Sequence, residues 1–131
     1  MIGKTRIVCL CGSTRFTEQM MIMSWELAKA GVIVLGWNVL PDSYVPVPSR
    51  CALGGEYADR KDALHIESHG AEAEGLKEQI DELHKRKIDL SDDVFVLNIG
   101  GYIGESTRSE IDYAIAHGKP VLYQEPRDSS I

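Results

Sequence analysis

Two stretches of this chain carry residue types that can hold an anion or supply a reactive carboxylate. The first is Cys11-Gly12-Ser13-Thr14-Arg15-Phe16. Gly12 lets the backbone come close to a ligand. The amides of Ser13 to Arg15 open a helix, where unpaired N–H groups and the helix dipole favour negative charge. Arg15 adds a charged fork beside the Ser13 hydroxyl. The loop is neither a GxGxxG turn nor a Walker loop, and an ordinary capped helix with a solvated Arg uses the same residues. The second stretch runs from Asn98 to Glu110, with Gly100, Gly101 and Gly104 ahead of Ser106 and Thr107. Glu110 falls in the first turn of the helix that follows, beside its inner stripe of Ile111, Ala114 and Ile115. Thr107-x-x-Glu110 also has the spacing of a capping box. A carboxylate for chemistry and a carboxylate for capping therefore stand as alternatives.

Other reactive types give weaker signals. Cys9 and Cys11 lie one residue apart on a strand, so they share a face and cannot form a CxxC redox pair; they read as buried thiols. With Cys51 they make an odd set that suggests no disulfide framework and points to the cytoplasm. His65 and His69 share a helical face but lack a third placed ligand. His84 and His117 read as unremarkable. No G-x-S-x-G context supports a Ser-His-Asp arrangement. Neither a metal nor a cofactor is expected.

The elements that must position these groups follow from pattern. At 131 residues the chain has the size of one domain. Fourteen basic residues against twenty acidic ones leave a formal charge of −6, which argues against a nucleic-acid polymer as partner. No apolar run is long enough for a membrane span. The segment 6–11 reads as a buried strand, followed by a helix to about Ala30 on Phe16, Met20, Met23 and Leu27, and a strand 32–35 ended by Gly36. Residues 37–70 form an irregular insert rich in Pro and aromatics, with a short helix near 58–69. A helix over 71–90 places Leu76, Ile80, Leu83 and Ile88 on one side, with Glu82 and Arg86 paired on the other. Strand 93–98, helix 106–117 and strand 121–123 complete the alternation. This predicts a single Rossmann-like α/β domain with a mostly parallel sheet and helices on both faces. Ligands in such sheets bind beyond the carboxyl ends of the strands, where strand order reverses. The loops after Cys11, Leu35 and Asn98 are the ones in question.

Taken together, the two loops resemble the nucleoside 2-deoxyribosyltransferase superfamily, which includes the 2′-deoxynucleoside 5′-monophosphate N-glycosidases. Cys11-Gly12-Ser13-Thr14-Arg15 is similar to the Cys-Gly-Ser-x-Arg loop of the nucleotide hydrolases. Asp93-Val94-Phe95-Val96 resembles the family's Asp-led apolar strand. Ser106 to Ala114 resembles its Thr-x-x-Glu helix start, and Gly118-Lys119-Pro120-Val121 its Gly-Lys-Pro lead into a strand. The match covers about half the chain, at both ends.

The resemblance implies a flavodoxin-like domain that cleaves the N-glycosidic bond of a nucleoside or nucleotide. Glu110 would be the nucleophile, attacking the anomeric carbon to form a glycosyl-enzyme that water or a second base resolves. Gly12, Ser13, Arg15 and Phe16 would hold the 5′ end, with Gly104, Ser106 and Thr107 near the sugar or phosphate. The family's aromatic hydroxyl near the first strand is absent; Tyr44 or Tyr102 is the expected substitute. Its acidic residue for the leaving base falls on Lys85, with Asp89 one turn nearer the strand and Asp81 one turn further away. Asp89 is the expected acid. A homodimer or higher homo-oligomer is implied, because family members complete their sites across an interface. The alternative to an enzyme is a nucleotide-binding or sensing module on the same fold.

Overall fold

A computed structural model describes residues 3–40, 43 and 76–126. The chain divides into two compact units, residues 1–37 with 81–131 and residues 38–80. The expected helix near 58–69, together with Tyr44, Cys51, His65 and His69, lies outside the described residues.

Four strands, β1 (Ile7–Gly12), β2 (Ile33–Leu35), β3 (Asp93–Leu97) and β4 (Val121–Tyr123), form a sheet in the order β2-β1-β3-β4. All three pairings are parallel. The helices α1 (Thr17–Lys29), α2 (Lys77–Leu90) and α3 (Glu105–Ala116) alternate with the strands. The α/β architecture expected from pattern is the one observed. β1 and β3 are central, which explains why both read as continuous apolar runs rather than alternating ones. β2 and β4 are edges of three residues each, short enough to limit unwanted pairing.

Side-chain alternation along the strands gives the sheet two distinct faces. Cys9, Cys11, Val94 and Val96 share one, where they pack with Ile88 of α2 and with Ile111 and Ala114 of α3. Leu35, Val121 and Tyr123 extend this cluster across the sheet. Val8, Leu10 and Leu97 point to the opposite face and are fully buried there.

Helix details differ from pattern at several places. A 3-10 turn over Thr14–Phe16, capped by Ser13, precedes α1, so the helix proper begins at Thr17. Phe16 is buried, whereas Met20, Met23 and Leu27 are only half-buried. Gly31 ends the segment with φ of +87°, a conformation that suits glycine. In α2 the buried stripe is His84 and Ile88, and Leu83 is 49% exposed. Periodicity counted apolar residues and so set the inner face one position away from the histidine. In α3 the stripe is Thr107, Glu110, Ile111 and Ala114, and Ile115 points outward. Among the described residues no helix is long and apolar enough to cross a membrane.

The amino ends of β1 and β3 are clasped by charge. Arg6 donates from Nε and Nη2 to the two oxygens of Asp93, the first at 3.2 Å. Asp92 accepts from the Ile7 amide at 2.8 Å and from Lys4 Nζ at 2.6 Å. The Asp92 amide in turn donates to the Ile7 carbonyl at 2.7 Å. Asp93, the acidic residue that leads the third strand, is thus tied up at the amino end of the sheet, away from the carboxyl ends of the strands. Its carboxylate is buried, so removing Arg6 strands a charge. Arg6→Ala is expected to lower stability by about 1–3 kcal/mol. Urea unfolding should show this as a lower midpoint at unchanged slope.

Candidate active site

Gly12 and Leu97 are register partners at the carboxyl ends of the two central strands. The chain runs from β1 outward to β2 and later returns to β3 on the other side. Strand order therefore reverses between β1 and β3, and the two loops of interest leave the sheet side by side at that point. A Cβ at Gly12 would sit 2.9 Å from the Trp37 ring and 3.2 Å from the Leu97 carbonyl oxygen. Glycine is thus required for Trp37 to lie across the strand end. The Trp37 indole N–H donates to Thr17 Oγ1 at 3.4 Å.

Tyr102 joins the loops. The Arg15 guanidinium lies 3.7 Å from its ring centroid, a cation–π contact. Phe16 meets the same ring edge-on, with centroids 6.1 Å apart. A Cβ at Gly104 would be 3.3 Å from the Tyr102 hydroxyl. Ser13 Oγ accepts from the Arg15 amide at 3.2 Å, so its hydroxyl is engaged in capping. Arg15 itself is exposed at the mouth of the loop. Gly12, Ser13, Arg15, Phe16 and Gly104 are brought into one neighbourhood, with Tyr102 at its centre.

Gly104 is the N-cap of α3, and no side-chain hydrogen bond caps the helix. Thr107 is its third residue and is buried, and Glu110 lies in the second turn. The capping box is therefore not formed, because Glu110 is too far along the helix to reach the cap. What Glu110 does instead is enter the core. Its residue surface is 8% exposed, and Oε1 stands 3.8 Å from His84 Nε2. Burial pushes the Glu110 carboxyl up to about 7; His84 and a hydrogen bond with Cys11 act the other way, and the charges of Cys9 and Asp81 reinforce the rise.

His84 is the residue that pattern overlooked. Its Nε2 lies 3.4 Å from Cys9 Sγ and 3.5 Å from Cys11 Sγ. Burial disfavours its protonation, yet the Cys9 hydrogen bond and the neighbouring acids raise its pKa overall. Cys9 is pushed down to about 5 by its hydrogen bond with Cys11, aided by His84 against the cost of burial. Cys11 is driven well above the thiol range by that same hydrogen bond and by burial. The signal for His84 was its place four residues before Ile88, on the side of α2 that meets β1. The ligand atoms of Cys9, Cys11 and His84 lie within 4.8 Å of one another, which makes them a donor set able to hold a metal ion.

Asp89 is not brought to Glu110. It sits near the exposed end of α2, accepting from the Tyr113 hydroxyl at 2.6 Å and from Arg86 Nε at 2.8 Å. The Tyr113 hydrogen bond, with Arg86, holds its carboxyl below the usual range. Asp81, two helical turns earlier, instead accepts from Ser106 Oγ at 3.4 Å and acts electrostatically on Glu110. Ser106 and Asp81 thus pair at the start of α3, close to the Glu110 carboxyl.

No protein-family model, curated protein or solved structure matches this chain.

The raised Glu110 pKa has a consequence for stability. Between the ordinary value of 4.5 and about 7, the folded state keeps a proton that the unfolded chain has released. Stability therefore falls as pH rises through this window, and the loss is complete above it. Glu110→Gln removes the titration. In metal-free protein held in a chelator, the variant should gain melting temperature over the parent at about pH 8 and lose that advantage at about pH 4. Calorimetry at the two pH values checks this; an equal difference at both would mean that Glu110 does not titrate in this window.

Proposed function

We propose that the chain cleaves the N-glycosidic bond of a nucleoside or nucleoside 5′-monophosphate, as an N-glycosidase or a deoxyribosyltransferase. The observation that carries this reading is Glu110: a buried, uncapped carboxyl beside the loops at the switch point, in the sequence context of the Thr-x-x-Glu motif. Enzymes hold ionisable groups in such environments to match their pKa to a task. A structural carboxylate gains nothing from burial that an apolar residue would not provide.

In this mechanism ionised Glu110 attacks C1′ as the C1′–N bond breaks. The bonding pair leaves with the base, which takes a proton, and C1′ is left esterified to Glu110. A water, or a second base in a transferase, then attacks C1′ and frees the carboxylate. Asp81, paired with Ser106, is the acid we assign to the proton traffic in place of Asp89. Positive charge spreads over the sugar in the transition state, so the neighbouring carboxylate stabilises it before bonding. Arg15 moves from the Tyr102 face to a 5′-phosphate, exchanging a cation–π contact for a charge-assisted hydrogen bond. The Tyr102 hydroxyl fills the place of the family's aromatic hydroxyl. The active unit in this reading is a homodimer or higher homo-oligomer.

The test is a panel of nucleosides and monophosphates scored by chromatography for free base, with and without an acceptor base. Release without acceptor identifies a hydrolase, and exchange alone a transferase. Glu110→Ala should lower the rate by more than about a thousandfold. Asp81→Asn should slow release strongly while Asp89→Asn leaves it near the parent rate. Thermal stabilisation by a monophosphate without turnover would replace the enzyme with a nucleotide-binding module on the same fold.

Arg15 offers a separate check. Arg15→Ala should raise KM about tenfold or more for monophosphates, the loss of one charge-assisted hydrogen bond. Nucleosides should be nearly unaffected. Equal losses for both ligand types would remove the phosphate from the reading.

A further inference from the structure

We propose that Cys9, Cys11 and His84 form a binding site for a zinc-type divalent cation, inside the core and on the α2 side of the sheet. The site uses none of the residues assigned to the glycosidic reaction, although Glu110 adjoins it.

Two residues i and i+2 on β1 project from the same face, so both sulfurs point at α2 and α3. His84, on the buried stripe of α2, meets them with one nitrogen. That nitrogen is 3.4 Å from one sulfur and 3.5 Å from the other. A tetrahedral zinc with bonds of about 2.3 Å to sulfur and 2.0–2.1 Å to nitrogen sets its S and N ligands about 3.5 Å apart. The observed edges have that length. Hydrogen bonding accounts for the arrangement less well. One ring nitrogen carries either one proton or one lone pair, and two sulfurs at equal distance compete for it. A shared cation satisfies all three atoms at once.

Charge and softness point the same way. All three side chains are buried, so an ion there must be neutralised by its ligands. Two thiolates cancel a divalent charge, and a neutral imidazole adds none. Binding would leave both sulfurs as thiolates and His84 neutral, coordinating through Nε2, with whatever protons these groups held passing to solvent and no change of oxidation state. Thiolate with imidazole selects zinc and its analogues over magnesium or calcium.

The experiment uses the full chain, reduced, stripped of metal, and refolded with cobalt(II) so that burial does not bar access. One equivalent should bind and produce intense near-ultraviolet sulfur-to-cobalt charge transfer, with the visible bands of tetrahedral cobalt. Zinc should displace it. His84→Ala should weaken cobalt binding by more than about tenfold, the loss caused even by removing an outer-shell partner of a metal ligand. Cys9→Ser/Cys11→Ser should lose the charge-transfer bands, while Cys51→Ser keeps them. X-ray absorption on the zinc-loaded parent needs no variant and should report two sulfurs at about 2.3 Å. Absence of charge transfer, its survival in the double Cys variant, or a zinc shell of only nitrogen and oxygen would overturn the site.

Discussion

The arrangement depends on a carboxyl group held inside an otherwise apolar face. Glu110 sits with Ile111 and Ala114 on the buried side of α3, against Cys9, Cys11, Val94 and Val96. Burial of an ionised carboxylate is costly unless it is paired. Here the partner is His84, with Cys11 as a hydrogen-bonding neighbour. Burial outweighs the adjacent imidazole and pushes the carboxyl up to about 7. A group poised this way can serve as proton carrier or nucleophile at ordinary pH, which a fully solvated glutamate does less well.

Topology explains what surrounds the strand end next to this group, which interacts with Cys11. With β1 and β3 adjacent and parallel, both loops emerge at one edge, and Tyr102 locks them together through Arg15 and Phe16. The opposite edge carries the clasp of Lys4, Arg6, Asp92 and Asp93. One end of the sheet holds the strands in register, and the other gathers Ser13, Arg15 and Tyr102. The net charge of −6 does not conflict with an anionic ligand. Arg15 is a local cation at the loop mouth, and a small ligand meets local rather than net charge. The fold alone would not choose a reaction; the choice rests on which residues line this edge.

Much of the fold was legible because its strands are short β-branched runs bounded by glycine. The parallel order follows from helices of crossover length between them. The site was legible in part. Gly12, Ser13, Arg15 and Glu110 stand out by residue type beside a turn. His84 does not, because a histidine among apolar helix positions has no pattern of its own; only packing reveals that it faces two sulfurs. Asp89 and Asp81 are equivalent by helical spacing. What separates them is tertiary: Asp89 meets Tyr113 and Arg86, and Asp81 meets Ser106. The capping box failed for a related reason. α3 starts at Glu105 with Gly104 as its cap, so Thr107 became an interior residue and Glu110 moved to the second turn.

The central claim is that Glu110 becomes covalently bonded to a sugar. Mixing the protein with a 2′-fluorinated deoxynucleoside monophosphate slows formation and breakdown of an oxocarbenium-like transition state, and favours accumulation of a glycosyl-enzyme. Intact-mass spectrometry followed by peptide mapping reads the result. The account predicts the mass increment of the sugar phosphate, without its base, on the peptide containing Glu110 and its absence in Glu110→Gln. Base release with no adduct, or an adduct on a peptide lacking Glu110, would contradict it.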